Sequence, residues 1–246
     1  QAPVIAIGGT PETAVAPPPA AAGPGGPRGG GGQPSINFKA GDWNMDISGS
    51  VNAYYTSTKC DTAGVAADGN LGGALSPCGA VGQGESAANI QNGLLPGFVV
   101  FSASTKQNGY DIKGVISIDP GTTTGGNNGG AQTVGDNRRV YIEFGNATMG
   151  TVKLGRDIAL FGQNAILNDM SLLAVGGGGG LNGAINTTLG SIGAGYVYTE
   201  FQPQVTYTAP AMGDLGLSVG IFQPRDFGPG GENSTPGFQG MATYSL

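Results

Sequence analysis

The stretch Met45-Asp46-Ile47-Ser48-Gly49-Ser50-Val51-Asn52-Ala53-Tyr54-Tyr55 places apolar residues or glycine at its odd positions and mostly polar residues at its even ones. Successive side chains of a strand point to opposite faces, so the pattern describes a strand with one apolar and one polar face. About eight stretches of this kind recur along the chain, and none is continuously apolar for long enough to cross a membrane as a helix. Two all-β architectures use such strands. In a soluble sandwich the apolar face meets a shared core, whereas in a transmembrane barrel it meets lipid and the polar face lines a lumen.

Composition bears on that choice. The 246 residues include 49 Gly and no His, only 11% are charged, and the formal net charge is −6. Soluble surfaces are usually about 25–35% charged, so the deficit fits a lipid-facing band. A glycine-rich secreted β-protein, such as a solenoid or adhesin, is the competing reading of the same composition. The ten Lys and Arg are scattered rather than clustered, which argues against nucleic acid as a partner. Without His there is no Ser-His or Cys-His dyad, and the carboxylates stand alone or beside Lys with no paired-acid spacing. The expectation is a protein that is not an enzyme and carries no cofactor.

Cys60 and Cys78 lie in a Gly/Ala/Asp-rich stretch between the first two strands. A disulfide across such a loop suits an oxidising compartment and stabilises by roughly 3 kcal/mol in the chain-entropy picture. As metal ligands the pair supplies half a site at best. The start, Gln1-Ala2-Pro3, has neither an initiator Met nor a basic and apolar leader, and reads as a chain after signal-peptide removal. Residues 1 to about 36 are Pro/Ala/Gly-rich, with Pro17-Pro18-Pro19 and four glycines at 29–32, and bury no core of their own. The chain divides accordingly into an N-terminal extension, 1–40, and a β-domain, 41–246. The extension reads as a periplasmic linker, or as a tether packed into the lumen or against a neighbouring subunit.

After the first strand, about 45–57, a long loop runs to about 93, and then Val99, Phe101 and Ala103 alternate with Val100, Ser102 and Ser104. Asn108-Gly109 is a hairpin turn signal. The third strand, 110–119, puts Ile112, Gly114, Ile116 and Ile118 on one face and Asp111, Lys113, Val115, Ser117 and Asp119 on the other. A second long loop leads to 139–144, a tight turn, and 151–156. Alternating short turns and long loops are the asymmetry of an outer-membrane barrel.

The run Asn137-Arg138-Arg139-Val140-Tyr141-Ile142-Glu143-Phe144-Gly145-Asn146-Ala147-Thr148-Met149-Gly150-Thr151-Val152-Lys153-Leu154-Gly155-Arg156-Asp157 resembles the fourth and fifth strands of Gram-negative general porins. There an Arg opens an alternating strand, a short Gly turn follows, and the hairpin closes on Gly-Thr-Val-x-Leu-Gly-Arg. Gln204-Val205-Thr206-Tyr207-Thr208-Ala209-Pro210, Leu215–Phe222 and residues 238–246 resemble the sixth, seventh and eighth strands in order. The resemblance covers about 45–246 and says nothing of residues 1–40. It implies a homotrimer in the outer membrane of a Gram-negative bacterium, embedded in lipid and passing small hydrophilic solutes or ions by diffusion.

The resemblance also implies that residues 157–203, after the fifth strand, form an inward loop facing carboxylates toward arginines on the wall, with Asp157 and Asp169 as its candidates. The family's usual acidic stretch is absent, and Phe161, Leu167, Met170, Leu172 and Leu173 make a helical or lipid-packed structural role an open alternative. The glycines at 176–180 read as a hinge or an anion-binding nest. If Val140, Ile142 and Phe144 face lipid, parity puts Arg139, Tyr141 and Glu143 in the lumen, with Asp111, Lys113 and Lys153 beside them. The resemblance sets Arg139 in the place of a constriction arginine. Ser50 and Phe98 stand where the family commonly has basic residues, so the expected selectivity is weak.

An eight-stranded barrel has an interior only wide enough for side chains, whereas aqueous porins use about 16–18 strands. A sheet edge open to lipid costs several kcal/mol per unpaired group. The expected fold is therefore a transmembrane antiparallel β-barrel of which about eight of sixteen strands, the N-terminal half, are present. The alternatives are a small non-conducting eight-stranded barrel and a surface or filament-forming β-protein.

Overall fold

The computed structural model describes residues 35–59, 86–93, 95–121, 137–168, 199–224 and 235–245. The chain is all-β and antiparallel, with one short helix among the described residues. Nine strands form a single sheet in which each strand pairs with the preceding one: β1 (Ser35–Ala40), β2 (Trp43–Ser50), β5 (Phe98–Gln107), β6 (Tyr110–Ile118), β7 (Val140–Asn146), β8 (Gly150–Ile158), β9 (Phe201–Thr208), β10 (Leu215–Phe222) and β11 (Gly237–Tyr244). Two further strands, β3 (Tyr54–Lys59) and β4 (Ser86–Gln91), pair with each other in the connection between β2 and β5. The sheet is open, with β1 and β11 as its outer strands.

Its connections alternate in length. Gly41-Asp42 joins β1 to β2, Asn108-Gly109 joins β5 to β6, residues 147–149 join β7 to β8, and residues 209–214 join β9 to β10. Asn108 and Gly109 both have positive φ, the requirement of a two-residue primed turn, which is why Asn-Gly sits there. The strands joined by the long connections (51–97, 119–139, 159–200 and 223–236) leave and re-enter the sheet at its other end.

The strand inventory departs from the sequence reading in three places. Ser35–Ala40, which the division at residue 40 assigns to the extension, is a strand: Ile36, Phe38 and Ala40 alternate with Ser35, Asn37 and Lys39, and the segment pairs along its whole length with β2. Nine strands rather than eight therefore stand in the sheet, and the long connection carrying residues 159–168 follows the sixth of them rather than the fifth. The first strand also does not run unbroken from 45 to 57. The β2–β5 ladder ends at Ser50↔Phe98 and the β3–β4 ladder starts at Tyr54↔Gln91, so three residues on one side face six on the other. Asn52 fills the mismatch: its Nδ2 donates to the carbonyls of Leu95 and Pro96, its Oδ1 accepts from Gly93 N, and its carbonyl accepts from Asn92 Nδ2. A side chain replaces the missing backbone ladder there.

Register sorts the residues into two faces. One row crosses all nine strands as Phe38, Met45, Ala103, Gly114, Ile142, Leu154, Val205, Ile221 and Phe238. The row one residue further toward the tight turns reads Lys39, Asn44, Ser104, Lys113, Glu143, Lys153, Thr206, Gly220 and Gln239. The first points to one side and the second to the other, as the pleat requires.

Candidate pore-lining face

The apolar face is the exposed one. Phe101, Ile116, Val140, Ile142, Leu154, Val205, Val219, Ile221 and Phe238 all stand out from the sheet, with Ile142 46% and Leu154 52% accessible. Val115, Ser117, Asp157, Gln204, Thr206 and Ser218, which point to the polar face, are buried. This inverts the arrangement of a soluble sheet, where the apolar side is the covered one.

The exposed apolar face also has a chemically distinct border. Trp43, Tyr110, Tyr207 and Tyr244 lie on it at the end that carries the tight turns, each exposed. From Tyr110 to Ile118 the face extends eight residue steps, about 27 Å along the strand.

On the polar face, Lys113, Glu143 and Lys153 are direct cross-strand neighbours in one row. Lys113 Nζ lies 3.8 Å from Glu143 Oε1, with both side chains partly exposed. Lys153 is held differently. Its Nζ contacts the carboxylate of Asp157 at 2.5 Å and lies 4.7 Å from the centroid of the Tyr141 ring. Tyr141 pairs across the ladder with Gly155, whose φ is +131° and where an added Cβ would collide with the Val140 carbonyl and the Tyr141 backbone. That position accepts only glycine, and its lack of a side chain leaves the Tyr141 ring free to lie beside Lys153.

Asp157 is therefore not a loop carboxylate. It belongs to β8, four residues from Lys153 on the same face, and its side chain is 1% exposed. The connection taken to span 157–203 begins only at 159, and β9 starts at Phe201. Asp169, Cys60 and Cys78 lie outside the described residues.

Arg139 stands just before β7, at the long-connection end. Its guanidinium lies 5.8 Å over the Phe98 ring, its N donates to Ser117 Oγ and its carbonyl accepts from Ser117 N. Ser117 in turn donates to Asp119, which also accepts from Arg138 N, so two buried polar residues of the β6 end clip the start of β7. Asp111 is at the opposite end, ion-paired with Lys106 at 3.6 Å beside the tight turn and well exposed. The six residues assigned to the lumen thus share a face, but they form a band about 20 Å long rather than one cluster.

Leaving β8, the chain folds onto the polar face. Leu160 packs with Phe222 and Met241, Phe161 N donates to Gln239 Oε1, and Asn164 Nδ2 reaches Met241 Sδ. The short helix α1 (Gln163–Leu167) follows, with Ile166 and Leu167 packed against Ile158, Leu95 and Phe201. Gln204 anchors the departure point by donating to the carbonyls of Asp157 and Ile158 while accepting from Thr206 Oγ1. The contacts described for residues 159–168 are apolar packing and neutral hydrogen bonds. Sequence reasoning missed Asn52, Ser117, Gln204 and Gln239 as structural polar groups. No known protein family and no curated protein matches the chain.

Proposed function

We propose that this chain forms part of the wall of an outer-membrane porin, a water-filled barrel that passes small hydrophilic solutes and ions by diffusion. The observation that carries the reading is the inverted sheet: an uncharged apolar row crossing nine strands, in which Phe38, Ile142, Leu154, Val205, Ile221 and Phe238 stand exposed, bordered at the tight-turn end by Trp43, Tyr110, Tyr207 and Tyr244. An aromatic border between an apolar band and short turns is what a bilayer interface selects, because rings with a polar handle sit at headgroup level. A tilted transmembrane strand needs about 9–11 residues, a length that β5, β6 and β8 reach with 10, 9 and 9, while the other six strands of the sheet have 6–8.

In this reading the polar face is the lumen wall. Lys113 and Glu143 are its solvent-facing charges, Arg139 and the 159–168 segment narrow it, and passage requires no bond-making chemistry. Lipid covers the apolar face, further strands complete the ring, and the resemblance to trimeric porins extends the proposal to a homotrimer. Reconstitution into planar bilayers tests it: stepwise conductance with heat-modifiable migration is expected, and a protein soluble without detergent that gives no conductance refutes it. A secreted adhesin or filament subunit would have to hide the apolar face in a protein interface, for which the Trp and Tyr border offers no reason.

A further inference from the structure

Three lysines on the polar face of β5, β6 and β8 each meet a carboxylate, and the three pairs lie at different depths. Lys106–Asp111 is 67% and 61% exposed, Lys113–Glu143 41% and 26%, and Lys153–Asp157 15% and 1%. The first two are open to the solution on this face, where screening and side-chain freedom leave an ion pair loosely held. The third is built into the wall. Lys153 Nζ donates to Asp157 Oδ2 and lies 4.7 Å from the Tyr141 ring, for which Gly155 leaves the room. Asp157 Oδ1 has no hydrogen-bond partner among the described residues, so Lys153 is the group that compensates this buried carboxylate. Arg139 does not do so. Val140 pairs with Arg156, which sets position 139 opposite 157, yet the Arg139 guanidinium lies instead 5.8 Å over the Phe98 ring.

The pairing changes what the row across the wall presents. Lys113, Glu143 and Lys153 follow one another across β6, β7 and β8 and by themselves leave one positive charge in excess. Asp157 removes that excess from a position the solution barely reaches. Resting on the porin reading, we infer that Asp157 determines ion selectivity without meeting the permeating ion: as a positioning residue it cancels Lys153 and keeps the ammonium against Tyr141, so that the row shows the lumen no net charge. Lys153 is then a concealed anion-selective charge, and loss of the carboxylate alone uncovers it. A unit charge about 7 Å from the ion path in water changes the local concentration of a monovalent ion about threefold. The effect fades as the Debye length falls from about 30 Å at 0.01 M salt to about 3 Å at 1 M.

The test measures reversal potentials in planar bilayers for the unmodified protein, for Asp157→Asn, and for Asp157→Leu combined with Lys153→Met, in KCl gradients centred on about 0.01 M and about 1 M. Asp157→Asn should raise the chloride-to-potassium permeability ratio about threefold at low salt and far less at high salt. The double change should bring the ratio back to the unmodified value. An Asp157→Asn channel with the unmodified ratio at low salt, or a double variant that stays as anion-selective as Asp157→Asn, overturns the inference. A second measurement needs no variant and decides the matter if Asp157→Asn does not insert. A charged, water-soluble amine reagent applied to unmodified channels, followed by peptide mass mapping, should label Lys106 and Lys113 and spare Lys153. Labelling of Lys153 as fast as Lys113 overturns the inference. Unmodified protein that gives no conductance defeats the porin reading itself, and the inference falls with it.

Discussion

Ile142 separates a lipid-facing sheet from a soluble one. It lies at the centre of the apolar row, paired on one side with Gly114, midway between Tyr110 and Ile118, and on the other with Leu154, and it is nearly half exposed. In water, an arginine at such a position changes stability by no more than about 0.5 kcal/mol, the range of ordinary surface substitutions. At the middle of a bilayer an arginine on the lipid face of a barrel costs about 2–4 kcal/mol, falling to about 0–1 kcal/mol near the interface. Tyr110→Arg, four residues from the centre at the tight-turn border, supplies the interfacial comparison within the same sheet. The assay is reversible urea unfolding from lipid vesicles for the unmodified protein, Ile142→Arg and Tyr110→Arg. The expected gap between the two variants is about 1–4 kcal/mol, where about 2 kcal/mol is roughly a thirtyfold difference in the folding equilibrium. Equal effects of about 0.5 kcal/mol or less would refute the lipid-facing assignment of this face.

Four other outcomes follow from the same geometry. Lys153→Met leaves the buried Asp157 carboxylate unpaired and should destabilise by about 3–5 kcal/mol, whereas Lys153→Met with Asp157→Leu should recover most of the loss, both read by the same unfolding assay. Arg139→Glu should move the reversal potential in a salt gradient toward cation selectivity, and an unchanged potential would remove Arg139 from the lumen wall. Asn52→Ala breaks the polar splice between the β2–β5 and β3–β4 ladders and should cost about 1–3 kcal/mol, with faster amide exchange at Gly93. Unreduced peptide mapping should recover Cys60 and Cys78 as a linked pair, and free thiols at both positions would reject the disulfide without touching the sheet.

Much of the sheet was legible because period two is a direct property of the pleat. The faces of β6, with Ile112, Gly114, Ile116 and Ile118 opposite Asp111, Lys113, Val115, Ser117 and Asp119, are those the alternation gives, and Asn108-Gly109 makes the turn its chemistry demands. Strand β1 carries the same signal in Ile36, Phe38 and Ala40, but the Pro/Gly-rich stretch before it drew the boundary past it. Asp157 was readable too: i and i+4 share a face of a strand, so a strand that begins at Thr151 and continues past Gly155 puts Asp157 beside Lys153. The break at Asn52 was not readable, because Val51 and Ala53 preserve the alternation and the cause lies some forty residues away, in the carbonyls of Leu95 and Pro96. The neutral anchoring of residues 159–168 was hidden for the same reason, since Gln204 and Gln239 acquire their roles only when β8, β9 and β11 are brought together.

The central claim is that the polar face borders water inside a membrane while the apolar face borders lipid. Single cysteines at Lys113 on the polar face and at Ile142 on the apolar face, in channels reconstituted in planar bilayers, test it directly with a water-soluble, charged thiol reagent. The account predicts a stepwise change in single-channel conductance on modification at Lys113 and neither reaction nor change at Ile142. Rapid modification at Ile142, or modification at Lys113 that leaves the conductance unaltered, would contradict it.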